Sequence, residues 1–151
     1  MSLILQITQL EHGKNLPLPK YGTVDAAGFD LTAGITRDLV IEPSRRALIP
    51  TGICIAIPRG YEGQIRPRSG LSLKHGITVL NAPGTIDADY RGEIQVVLIN
   101  LSDTPFTVTR GMRVAQMVIA PIKQVSISLV EALPNDTERG AQGFGSTGLV
   151  G

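Results

Sequence analysis

The stretch Gly76-Ile-Thr-Val-Leu-Asn-Ala-Pro-Gly-Thr-Ile-Asp-Ala-Asp-Tyr-Arg-Gly-Glu-Ile-Gln-Val-Val-Leu-Ile-Asn-Leu101 decides how the chain is read. Its two ends, 76–80 and 94–101, are short apolar runs rich in β-branched residues, which read as the arms of a hairpin. Between them, 81–93 carries a turn, carboxylates, a tyrosine, an arginine and an amide. A hairpin built only for stability would use a short turn and alternating apolar residues. This tip carries more polar chemistry than a turn needs, although a long solvated tip would look the same. Working outward, the pattern repeats. Apolar segments at 3–10, 39–41, 46–49, 52–57, 63–66, 107–108, 113–119 and 125–130 alternate with turns drawn from 17 glycines and 10 prolines. Many short strands at close spacing predict an all-β sandwich or barrel. In 123–133 the alternation is clean, with Val125, Ile127 and Leu129 on one face. Helical periodicity is confined to 69–75, where Ser69 is placed to cap one short helix.

With 151 residues, 42% hydrophobic and 18% charged, the chain fits one globular domain. A formal net charge of +1 argues against a general nucleic-acid or membrane-surface binder. It leaves room for a local basic pocket. The lone Cys54 cannot form an internal disulfide and reads as a buried strand residue, not a nucleophile. His12 and His75 are far apart and join no cysteine cluster, so a protein-held transition metal is not expected. No apolar run approaches the roughly 20 residues of a spanning helix. The N-terminus lacks the charge and apolar block of a signal peptide, so a cytoplasmic protein is expected.

Four further features carry candidate chemistry. Asp30 stands between Phe29 and Leu31, so it must be partnered or lie on an exposed edge. Arg68-Ser69-Gly70 offers a guanidinium, a hydroxyl and a helix start, a donor set that suits phosphate oxygens and equally suits a plain cap. Gln116 is an amide among apolar neighbours and needs partners, either protein or ligand. From Pro134 the chain turns polar and glycine-rich, which predicts a flexible arm over 134–151 after a body of 1–133. Within it, 143–148 formally matches the dinucleotide fingerprint, but it lacks the strand before and the helix after that the fingerprint requires. Its glycines can instead wrap an anion, with Arg139, Ser146 and Thr147 as donors.

These segments, in this order, resemble the trimeric dUTPase family: 26–31, Arg68-Ser-Gly-Leu-Ser72, Asn81 with Gly84-Thr-Ile-Asp-Ala-Asp-Tyr-Arg-Gly-Glu93, 113–119, and Arg139-Gly with Gly143-Phe-Gly-Ser-Thr-Gly148. The resemblance spans nearly the whole chain. It implies a β jelly roll, a distorted β-barrel, assembled as a homotrimer whose active sites draw on more than one subunit. It implies cleavage of dUTP to dUMP and pyrophosphate, with Mg²⁺ held mainly by the phosphates and waters. By the resemblance Asp87 primes the attacking water. Asn81, Thr85 and Ile86 read the uracil edge, and Gln95 lies where family members contact the base. Tyr90 lies under the deoxyribose. Arg68, Ser69, Gly70 and Gln116 contact phosphate. Arg139, Phe144, Gly145, Ser146 and Thr147 belong to the closing arm, with Phe144 stacked on uracil, and Asp30 is a supporting carboxylate.

The dCTP deaminase family shares this fold and resembles the chain through 84–92. Its catalytic glutamate falls where this chain has Val97, which cannot move protons. A non-catalytic nucleotide-binding β protein would require Asp87 to be silent.

Overall fold

The computed structural model describes residues 3–141 and 143. Among the described residues ten strands, one α-helix and a short 3-10 helix (Glu11–Gly13) are formed: β1 (Gln6–Gln9), β2 (Phe29–Thr32), β3 (Leu39–Ile41), β4 (Arg46–Ala56), β5 (Tyr61–Arg66), α1 (Ser69–His75), β6 (Ile77–Val79), β7 (Gly84–Ile86), β8 (Glu93–Asn100), β9 (Phe106–Val108) and β10 (Arg113–Pro121). The chain is an all-β protein of the jelly-roll type. One four-stranded sheet has the order β1-β4-β8-β6, a second β2-β10-β5-β7, and β3 pairs β9. Every pairing is antiparallel.

The period-two pattern decides which faces are buried. In β8, Ile94, Val96, Leu98 and Asn100 point inward while Gln95, Val97 and Ile99 lean outward. They meet Ile49, Ile53 and Ile55 of β4, Leu31 of β2, and Val114, Ala115 and Met117 of β10 in one continuous core. Asn100, like Thr51, is a polar residue buried beside that core. Its Nδ2 donates to the Ile41 and Thr104 carbonyls (2.9 and 2.7 Å), and its Oδ1 accepts from the Ser102 N–H and hydroxyl (2.9 and 2.7 Å). A buried amide so satisfied costs little and fixes the turn between β8 and β9.

Strand β4 merges the runs expected at 46–49 and 52–57. It does so by a bulge: Pro50 faces Gln95 and Cys54 faces Glu93, leaving 51–53 opposite a single step of β8. Gly52 has φ 72° and packs backbone to backbone against Gly13, where no Cβ would fit on either residue. The Gly52 N–H turns to the Glu93 carboxylate instead of the ladder (2.8 Å), and the Thr51 hydroxyl donates to the Ile94 carbonyl (2.6 Å).

Three expectations are corrected. The strand expected at 125–130 is not formed: after Pro121, 122–133 has no regular structure, and Val125, Ile127 and Leu129 are 79%, 96% and 99% exposed. Alternation is only half of a strand; the other half is an edge to pair with, and none is supplied within the described chain. Ser69 does not cap α1. Arg68 holds the cap position without a side-chain cap bond, and Ser69 is the first helical residue. Cys54 lies in β4 but is half-buried, not buried.

Candidate active site

The hairpin tip is built in two parts. Strand β7 leaves β6 by a turn with a cis Ala82–Pro83 bond and crosses to the other sheet, where Thr85 faces Gln64 of β5. The chain then returns to β8 through a tight turn closed by the Tyr90 N–H to the Asp87 carbonyl (3.1 Å). Arg91 folds back over this turn, its Nη1 donating to the Ala88 and Tyr90 carbonyls (2.7 and 2.8 Å). The Tyr90 hydroxyl donates to the Glu93 carbonyl (3.0 Å), and the ring lies so close over Gly92 that a Cβ there would collide with it. Short sequence spacing thus fixes the ring without using any core residue.

These pieces enclose a cleft of about 270 Å³ lined by Leu48, Thr85, Ile86, Asp87, Tyr90, Glu93 and Gln95. Asp87 is exposed at its rim and also borders a second groove with Arg59 and Arg91. Thr85, Ile86, Asp87, Tyr90 and Gln95 therefore come together as anticipated. Asn81 is not in the lining; it lies over Gly84 of the same hairpin, where its Nδ2 would be 3.3 Å from an added Cβ. Leu48, Gly92 and Glu93 were given no role from the sequence. Glu93 had no local signal, since its carboxylate serves Gly52, 41 residues away.

The other candidates form a separate cluster. Asp30 Oδ1 accepts from Arg68 Nε (2.9 Å), and Asp30 Oδ2 from Arg113 Nη1 (3.2 Å). Arg68 also donates to the Arg113 carbonyl (3.2 Å). Gln116, opposite Asp30 in the β2–β10 ladder, donates Nε2 to the Pro67 carbonyl (2.9 Å). The amide thus fixes the entry to Arg68-Ser69-Gly70, and Asp30 fixes the guanidinium, while Ser69 and Gly70 stay exposed. None of these residues lines the cleft beside Asp87. Val97 is half-buried in β8. Among the described residues no three His, Cys, Asp or Glu side chains converge as a metal site, and no helix is long and apolar enough to cross a membrane. Arg139 is exposed, and Phe144, Gly145, Ser146 and Thr147 lie outside the described residues.

A β jelly roll with a small polar-edged cleft at a carboxylate-bearing hairpin, and a guanidinium cluster elsewhere, is the architecture of a nucleotide-handling β protein. A family model described as dUTPase matches residues 14–148, and the chain belongs to the dUTPase family. It is 57% identical over 145 residues to the deoxyuridine 5'-triphosphate nucleotidohydrolase of Wolbachia sp. subsp. Brugia malayi, covering 95% of this chain and 93% of that one. It is 55% identical to the protein of the same name from Ehrlichia canis, covering 97% and 96%. Among solved structures it superimposes on Staphylococcus bacteriophage 80alpha dUTPase with dUPNHPP at TM-score 0.87, with 29% identity over 97% of this chain and 99% of that one. It also matches a phage phi11 dUTPase at TM-score 0.77 and 26% identity, covering 86% and 98%; that structure is described as revealing the coordination of a structural Mg(II) ion.

Proposed function

We infer that the cleft beside Asp87 is where the chain carries out its reaction, the hydrolysis of dUTP to dUMP and pyrophosphate. One observation carries this reading: an exposed carboxylate at the rim of a nucleoside-sized cleft whose wall includes a tyrosine held by its own turn. Asp87 orients a water and takes its proton as the water attacks the α-phosphorus. Thr85, Ile86, Asn81 and Gln95 present hydrogen-bonding edges to the base, so a wrong base leaves polar groups unpaired. Tyr90 packs under the sugar and leaves no room for a 2′-hydroxyl.

The phosphates need cations that this cleft lacks. Arg68, with Ser69 and Gly70, supplies them from another subunit of a homotrimer, each site joining one subunit's hairpin to its neighbour's Asp30–Arg68–Gln116 cluster. Two features support the shared site: the cluster lies apart from the cleft within one chain, and apolar 125–129 is left without cover. Triphosphate carries about four negative charges, so the arm 134–151, with Arg139 and Phe144 to Thr147, gains most by closing on the bound nucleotide. The donor set also fits Mg²⁺, which binds through few carboxylates and several phosphates and waters. When bound, held mainly by the substrate phosphates and waters, it would neutralise phosphate charge.

The test is pyrophosphate release from dUTP, dCTP and UTP by wild type, Asp87→Asn and Tyr90→Ala. Asp87→Asn is expected to bind a non-hydrolysable dUTP analogue normally and to lose turnover by about 10²-fold or more. A fully active Asp87→Asn would remove Asp87 as the base.

A further inference from the structure

The carboxylate of Glu93 stands between two cavities. One is the cleft beside Asp87; the other, of about 830 Å³, is lined by His12, Ile35, Arg37 and Asp38 among others. A single oxygen, Oε1, accepts from both the Gly52 N–H (2.8 Å) and His12 Nε2 (2.7 Å). The carbonyl of the same residue accepts the Tyr90 hydroxyl (3.0 Å). Glu93 is therefore held by its side chain and holds Tyr90 by its backbone. His12 in turn is not free to drift. Arg110 Nη1 donates to the His12 and Ile35 carbonyls (2.7 and 3.0 Å), and its Nη2 to the Lys14 carbonyl (3.0 Å).

We propose that His12 is a positioning residue for substrate selection, acting through Glu93 to hold the Tyr90 ring against Gly92. The inference rests on the assignment of Tyr90 as the wall beneath the sugar. Glu93 is mostly buried, its side chain 17% exposed, and the seat of its carboxylate beside the β4 bulge depends on both donors. Without His12 the carboxylate keeps one donor and is drawn toward water through the larger cavity. The Glu93 backbone follows, and with it the acceptor that seats the tyrosine. The Asp87 carboxylate takes part in none of these bonds, so its chemistry is touched less than sugar selection.

The experiment compares His12→Ala, His12→Gln and His12→Asn in the intact full-length protein, with Tyr90→Ala as reference. A glutamine amide nitrogen reaches the place of Nε2; an asparagine amide reaches only that of Nδ1. His12→Ala is expected to lower the dUTP-to-UTP ratio of kcat/KM by about tenfold, the loss of one hydrogen bond to a charged acceptor. It should raise KM for dUTP more than it lowers kcat and shift the NMR resonance of the Tyr90 ring. His12→Gln should restore all three, and His12→Asn should not. A folded His12→Ala with wild-type ratio, KM and ring resonance overturns the proposal. Should His12→Ala not fold, equal behaviour of the glutamine and asparagine variants overturns it. An unchanged ratio in Tyr90→Ala would instead remove the sugar-wall assignment, and the ring resonance in His12→Ala alone would then decide whether His12 positions Tyr90.

Discussion

Replacing Gly92 by alanine separates the construction of the cleft from the construction of the fold. A Cβ on Gly92 would lie 2.6 Å from Tyr90 Cζ and 3.0 Å from Cε2, with the hydroxyl closer still. Carbon atoms rest at roughly 3.5–4.0 Å, so the ring must retreat by about 1 Å. Gly92 does not have a positive φ, so the backbone itself accepts alanine. Tyr90 is 43% exposed and can swing into solvent. The folding cost is then one exposed hydrogen bond, about 0.5 kcal/mol. Loss of glycine's freedom in the unfolded chain offsets it by about 0.4–1 kcal/mol. Net stability should change by less than about 1 kcal/mol, and Tm by no more than about 2–4 °C. The site responds differently, because a displacement of about 1 Å can cost up to 10²-fold in rate. Gly92→Ala should therefore lower kcat/KM for dUTP by about 10- to 100-fold and narrow the gap between dUTP and UTP. Pyrophosphate release on both nucleotides, with calorimetry on the same preparation, measures the two halves. Wild-type kinetics in a folded variant, or collapse of the fold, would refute the reasoning.

Gly13→Ala is the opposite case. Its Cβ would meet the Gly52 backbone, carbonyl carbon at 2.7 Å and Cα at 2.8 Å, where nothing can swing away, so a loss of about 3 kcal/mol and about 10 °C in Tm is expected by calorimetry. Asn100→Ala empties four bonded positions in the core and should cost about 3–5 kcal/mol, read as a lower urea midpoint at constant slope. Deleting 139–151 should lower turnover about tenfold or more while leaving Tm within about 2 °C, since the core lies wholly in 29–117; an arm-less enzyme with full turnover would end the closing-arm reading.

What the sequence made legible follows the range of each interaction. Helix α1 was readable in its span, 69–75, but not in its cap, which falls on Arg68 and not on Ser69. The strands of β8 and β10 were readable because each buries one face along its own run. Strand β2 was not anticipated: Asp30 interrupts its apolar pattern, and the arginines that make it tolerable lie 38 and 83 residues away. Strand β7 hid inside the tip because three residues are too few to show a period. The run at 125–130 was overread for the converse reason, having period without a partner. For the candidate site, residue types and order singled out Asp87, Tyr90 and the Arg68 segment, of which Asp87 and Tyr90 share one cleft and Arg68 lies outside it. The tie between His12 and Glu93 spans 81 residues and leaves no trace in either neighbourhood.

The bulge in β4 works as a registration pin between that strand and β8. Sliding β8 by one residue would turn Ile94, Val96 and Leu98 toward water, a slip that regular ladders resist only through that burial. Here it would also pull a carboxylate out of the one notch shaped for it, at Gly52. Asp87 and Tyr90, in the turn a few residues before that strand, thus inherit their placement from a fastening made well outside the loop that carries them.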